Sequence, residues 1–229
     1  MKENLSRREF VAGTGAVALA GALGFRSAAG SPQVPPGKTV KILGISCSPR
    51  KGMTTARATQ IALEAAKGVD SQIEVELVDL GGLSIAGYSP KPPEDDFKAI
   101  LPKLQDPAVG GLIIGSPVYF RGVSALCRAF IERCAPLREP KMLLADKPVG
   151  VLAVGAFRNG GQELAIEQIQ TAMLCFGMIP VGGNAPAFQG ATVLSAKDDI
   201  SGDTLGVDTA RKLGARVAET ALRFATKGA

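Results

Sequence analysis

Two stretches of this chain, Val109–Gly115 and Pro148–Gly155, carry no polar side chain at all. A short, wholly apolar run bounded by Gly and Pro reads as a strand buried on both faces. Strands of that kind belong to a parallel sheet, where each crossover lays a helix over one face. The rest of the pattern agrees. Further strands are predicted at Val40–Ser46, Ile73–Leu80 and Met178–Gly182, the second alternating apolar with acidic residues as a strand with one exposed side does. Amphipathic segments between them predict helices at Thr54–Lys67, Asp95–Leu104, Val123–Cys134, Gly161–Phe176 and Thr204–Thr226, with Pro102 blurring the end of the second.

Five strands separated by helices predict an α/β fold: a flavodoxin-like, doubly wound five-stranded parallel sheet in the order 2-1-3-4-5. Such a sheet takes its ligand at the carboxyl ends of the strands, near the point where the strand order reverses. The turns after the first, third and fourth strands should therefore carry the chemistry.

After the first strand comes Gly44-Ile45-Ser46-Cys47-Ser48-Pro49-Arg50-Lys51-Gly52-Met53-Thr54-Thr55. Strand, hydroxyl-rich turn and helix N-terminus together suit a phosphate: first-turn N–H groups point outward and the helix dipole favours an anion. The turn is neither a Walker loop nor the Gly-x-Gly-x-x-Gly dinucleotide fingerprint, which leaves a mononucleotide phosphate such as that of FMN. After the third strand, Gly115-Ser116-Pro117-Val118-Tyr119-Phe120-Arg121-Gly122 offers a stiff exit and an aromatic pair for a planar ring. After the fourth, Gly155-Ala156-Phe157-Arg158-Asn159-Gly160-Gly161-Gln162-Glu163 allows close backbone approach beside a fixed positive charge. Each turn alone is ordinary punctuation; their coincidence at three strand ends predicts one ligand site.

The chain has no histidine. Ser-His and Cys-His couples, a histidine metal site and a histidine general base are all excluded within it. The cysteines, Cys47, Cys127, Cys134 and Cys175, form no Cys-x-x-Cys pair. Cys127 and Cys134 share a helix face but lie about 10 Å apart along it, too far for an undistorted disulfide. Buried, inert thiols are the expectation.

Ser6-Arg7-Arg8-Glu9-Phe10-Val11 is a twin-arginine pattern, followed by a Gly/Ala-rich apolar run to Phe25 and by Ser27-Ala28-Ala29. Residues 1–29 read as a signal peptide for export through the twin-arginine translocase to a periplasmic or other extracytoplasmic location. Cleavage near Gly30 and retention as a membrane anchor both stay open. Residues 30–38, with three prolines, read as a linker, and 39–229 as one domain. Setting 1–29 aside removes Lys2, Arg7, Arg8 and Arg26 against Glu3 and Glu9, so the formal charge falls from +5 to +3. That mild excess, with no basic block interleaved with aromatics, gives no nucleic-acid signal.

On the Gly44–Thr55, Gly115–Gly122 and Gly155–Glu163 segments and their spacing, the chain resembles the NAD(P)H-dependent FMN reductases and the related iron–sulfur flavoproteins. The resemblance runs from about Lys38 to Ala225. It implies that Ser46, Ser48, Arg50, Thr54 and Thr55 hold the FMN phosphate. Pro117, Val118, Tyr119 and Phe120 would border the isoalloxazine ring, with Ala153, Gly155, Arg158 and Gly161 along its other edge. It implies NAD(P)H as donor, a small acceptor such as a quinone, free flavin or metal ion, and a homo-oligomer, dimer or tetramer. The chain departs from the family's pattern at Cys47, where glycine is usual, and at Thr54, where asparagine is common. Iron–sulfur relatives place a cysteine cluster between the second and third strands; Leu83–Pro90 has none, so no iron–sulfur cluster is expected. A non-enzymatic FMN electron carrier serving a redox partner protein is the alternative, as is a member that binds no flavin.

Overall fold

The structure, a computed structural model, describes residues 39–225; the leader and linker assigned to 1–38 lie outside the described residues. Strand β1 (Val40–Ser46) leads through helix α1 (Thr54–Lys67) to β2 (Ile73–Asp79), and α2 (Phe97–Gln105) leads to β3 (Val109–Pro117). Then come α3 (Ala125–Arg133), β4 (Pro148–Gly155), α4 (Gln162–Leu174), the short strands β5 (Ile179–Val181) and β6 (Ala191–Leu194), and α5 (Thr204–Ala225). Every pairing is parallel and the path is β2-β1-β3-β4-β5, the order expected from the sequence.

The fifth position differs from the expectation of a single strand. β5 pairs with Pro148–Gly150, the first part of β4, and β6 pairs with Leu152–Gly155, the rest of it. Residues 182–190 loop out between the two pieces. The fully buried β4 thus keeps a hydrogen-bonded neighbour along most of its length, as a central apolar strand requires.

Alternate residues of the strands face opposite sides. Leu43, Ile45, Leu112, Ile114 and Val151 pack with Phe97 of α2, Phe130 of α3 and Ile169 of α4. Ile42, Ile113, Leu152 and Val154 pack with Ala62 and Leu63 of α1 and Leu213 and Val217 of α5. Helix α1 can lie close on the sheet because Gly115 presents no side chain: a Cβ there would stand 2.4 Å from Thr59 Oγ1. This close seat brings the N-terminus of α1 over the ends of β1 and β3, the reversal point of the strand order. Pro102 lies inside α2 rather than ending it, at the loss of one backbone hydrogen bond. Among the described residues no helix is long and apolar enough to cross a membrane.

Candidate functional site

The β1–α1 turn is pinned to the neighbouring strands from below. Cys47 N–H donates to Gly115 O at 2.8 Å, and Leu80 N–H donates to Ser46 O at 2.9 Å. The Asp79 carboxylate at the end of β2 accepts Gly52 N–H at 2.7 Å and Gly81 N–H at 3.1 Å. Gly81 touches the turn so closely that a Cβ would stand 2.3 Å from Lys51 Cα. Within the turn, the Ser48 hydroxyl accepts Arg50 N–H at 3.1 Å.

What the turn leaves open is more telling. The first helix-type bond of α1 runs from Arg57 N–H to Met53 O, so the N–H groups of Thr54, Thr55 and Ala56 have no partner inside the helix. Met53 at the cap position supplies no side-chain acceptor, and no acidic residue stands in the first turn. Thr54, Thr55, Ser46 and Ser48 are all buried. The Ser46 hydroxyl is the one buried side-chain oxygen or nitrogen among the described residues with no hydrogen-bond partner. It lies on the α1 face of the sheet, by the alternation that puts Ile42 there and Ile45 opposite. A buried hydroxyl without a partner is costly, and a bound group within its reach would relieve that cost. An uncapped helix end beside it is the donor set a phosphate takes.

Cys47 faces the other way. Its thiol lies in the α3-side core against that of Cys127, and burial pushes it well above the usual thiol range. Burial likewise raises Cys134 far above the usual thiol range, so both thiols stay protonated. Cys47 therefore does not crowd the interior of the turn. Ser124, which caps α3, holds this junction together: its hydroxyl donates to Cys47 O at 2.6 Å and accepts Cys127 N–H at 3.0 Å.

Two further loops stand at the same end of the sheet. Beyond Pro117, Val118 N–H donates to Val154 O at 2.8 Å. Tyr119 and Gly122 then exchange N–H···O bonds of 2.9 and 3.0 Å around a two-residue turn whose central residues, Phe120 and Arg121, both sit in the left-handed region. Only a tight hairpin turn takes that pair of dihedrals, and Asn-Gly is its usual occupant, so Phe and Arg are held there under strain. Phe120 is fully exposed and Tyr119 partly so. The β4–α4 loop packs beside this hairpin, with Gly161 at φ 111° against the Arg121 backbone. Arg158 donates to the buried Asp203, whose other oxygen accepts Leu194 N–H. Burial pushes the Asp203 carboxyl up, but these hydrogen bonds outweigh it and hold the group below the usual carboxylate range.

The residues assigned from sequence are thus brought to one end of the sheet. Ala153 is there as well, opposite Ser116 in register, but its side chain belongs to the α3-side core, so only its backbone faces the site end. Two carboxylates at this end carry no sequence motif: Asp79, and Asp198, which pairs with Arg50 at 2.7 Å. Asp79 stands opposite Ser46 in register and could have been found from strand pairing alone.

A parallel, doubly wound sheet in this strand order, with donors lacking helical partners at its reversal point, defines an α/β protein of the flavodoxin-like class. The fold agrees with solved structures at low sequence identity. The chain aligns with RosB, solved with 8-demethyl-8-formylriboflavin-5'-phosphate, at a TM-score of 0.65 and 15% identity, covering 81% of this chain and 80% of that one. A flavodoxin, WrbA-like protein of Agrobacterium tumefaciens aligns at 0.55 and 19%, covering 81% and 98%. The sequence profile described as NADPH-dependent FMN reductase matches residues 40–193, and the chain belongs to that family of FMN-dependent oxidoreductases. Curated relatives include an iron–sulfur flavoprotein of Methanocaldococcus jannaschii, 40% identical over 191 residues that cover 79% of this chain and 96% of the relative. Another, from Methanosarcina thermophila, is 34% identical over 183 residues, 76% and 93% of the two chains.

Proposed function

We propose that this chain binds FMN at the β1–α1 turn and acts as an oxidoreductase that takes electrons from NAD(P)H and passes them to a small acceptor such as a quinone, a free flavin or a metal ion. The observation that carries the reading is the buried, partnerless Ser46 hydroxyl beside the uncapped start of α1. Ser46, Ser48, Thr54 and Thr55 with the first-turn N–H groups would hold the phosphate, and Arg50 would add a guanidinium. Pro117, Val118, Tyr119 and Phe120 would flank one edge of the ring, and Gly155, Arg158 and Gly161 the other. Bound FMN supplies the hydride and electron transfer itself. The chain's residues then need only bind, orient and screen, which accords with a sequence that holds no histidine.

The relatives are named iron–sulfur flavoproteins, yet residues 80–96 of this chain contain no cysteine. We take the chain to work through FMN without that cluster. The exposed Phe120 and Phe157 at the loop tips favour assembly of copies into a dimer or tetramer. The twin-arginine leader favours an extracytoplasmic location, where nicotinamide is scarce. For that reason an FMN electron carrier docking to a redox partner is the second reading.

The test is the absorption spectrum of the purified protein before and after anaerobic NADPH and NADH. Flavin bands that bleach within one mixing time support the reductase. Bands that persist but bleach with a chemical reductant favour the carrier. A protein that stays colourless when FMN is added overturns both.

A further inference from the structure

Arg50 makes contacts that a phosphate ligand would not need. Its guanidinium donates to Asp198 at 2.7 Å and lies against the Tyr119 phenol. Asp198 sits in the connection between β6 and α5, 148 residues away in sequence, and sequence reasoning gave this connection no role. Ala196 and Asp199 there exchange N–H···O bonds of 2.8 and 3.0 Å around Lys197 and Asp198, which take φ values of 50° and 62°. The hairpin at Tyr119–Gly122 has the same form, with 49° and 65° at Phe120 and Arg121. Neither turn has glycine at its centre. Side chains at such left-handed positions are strained. Two strained turns of one geometry, from different parts of the chain, therefore meet at one guanidinium.

We propose that Asp198 is a positioning residue for the cofactor, acting through Arg50: it fixes the guanidinium between Tyr119 and the β6–α5 turn, tying the phosphate loop to the ring loop and slowing release of FMN. The inference rests on the reading that FMN binds here. The tie joins the two loops between which the cofactor would lie, so FMN leaves only when Arg50 lets go of one of them. Asp198 is suited to the task because aspartate tolerates the left-handed region better than most residues, and its carboxylate leaves the turn toward Arg50.

The experiment measures the rate of FMN release from the full chain, followed by flavin fluorescence after dilution, together with the melting temperature. Asp198→Asn keeps the side-chain size and the tolerance for the left-handed backbone but removes the charge. Both partners are half exposed, 50% and 52%, so the expected effect is modest, a release about fivefold faster. Asp198→Glu should restore slow release in part. Arg50→Gln should speed release more, since it loses the phosphate contact too. The double variant should release FMN no faster than Arg50→Gln alone, a non-additivity that a merely structural role for Asp198 would not produce. An unchanged rate in Asp198→Asn, or additive effects in the double variant, overturns the inference while leaving FMN binding intact. A wild-type chain that binds no FMN overturns the inference and the reading beneath it together.

Discussion

The β1–α1 turn and the β2–α2 segment leave neighbouring strands of one sheet, yet beyond Gly52, which Asp79 holds, they treat their backbone donors differently. In the β2–α2 segment the carboxylates come to the N–H groups. Asp96 accepts Ser84 N–H, Asp95 accepts Ala86 and Phe97 N–H, and Glu132 of α3 accepts Tyr88 N–H. Arg133 closes the set by pairing with Asp95 while lying 5.2 Å from the centroid of the Phe97 ring. At the β1–α1 turn, by contrast, the start of α1 is uncapped, three N–H groups have no helical partner and Ser46 is left without one. Donors already held by carboxylates offer an anion little, whereas buried donors without a helical partner are free to take one. The proposed phosphate site at the β1–α1 turn rests on this difference.

The comparison breaks most readily at Asp95. Its side chain and that of Arg133 are only 7% and 11% exposed, so Asp95→Ala strands a nearly buried guanidinium and frees the donors of the segment. The expected loss is about 3–5 kcal/mol of stability, read by denaturant unfolding. FMN affinity of the folded fraction should stay within about twofold, because no phosphate donor is touched; this is the order of change seen for a distant site.

Ser46→Ala should do the reverse. Removing a hydrogen bond to a charged group weakens FMN binding by about 1.5–3 kcal/mol, tenfold or more, as fluorescence titration would measure. Stability without cofactor should be unchanged or higher, because a partnerless buried hydroxyl is removed. Gly81→Ala tests the seam between the regions. Its Cβ would collide with Lys51 Cα, so the turn must move, at a cost of about 1–3 kcal/mol shared between stability and FMN affinity.

Acid sharpens the contrast with a smaller effect. Burial raises the Asp95 carboxyl, but Ala86 N–H and Arg133 more than offset it, and Tyr88 N–H and Arg128 hold Glu132 low. Both groups are depressed in the folded chain. Their stabilisation is fully present above the ordinary carboxylate values of about 4 and is lost as pH falls through the lowered folded values. A phosphate monoester loses its second charge near pH 6. FMN binding should therefore weaken between pH 7 and 5, while the melting temperature of the cofactor-free chain falls only at lower pH.

Much of the fold was legible because it rests on local pattern. Val109–Gly115 and Pro148–Gly155 announced buried parallel strands, and the five α-helices of the described residues followed from apolar period. β6 was not legible: Ala191–Leu194 is four residues after an irregular loop, and only its pairing with β4 makes it a strand. The phosphate turn could be read from its hydroxyls and the helix after it. Of its supports, Asp79 was within reach through the pairing of β1 with β2, whereas Asp198, which reaches Arg50 across 148 residues, was not. The left-handed pairs at Phe120–Arg121 and Lys197–Asp198 were equally hidden, since neither carries the Asn-Gly signature of such turns.

The central claim is that the open donors of the β1–α1 turn take a phosphate. The most direct measurement is the affinity of the cofactor-free chain for FMN against riboflavin, which differ only in that group. The account predicts FMN binding at least about 100-fold tighter, as two charge-assisted hydrogen bonds of roughly 1.5–3 kcal/mol each would give, and most of the difference gone in Ser46→Ala with Thr55→Val. Equal affinities for the two flavins, or a double variant that weakens both alike, would contradict it.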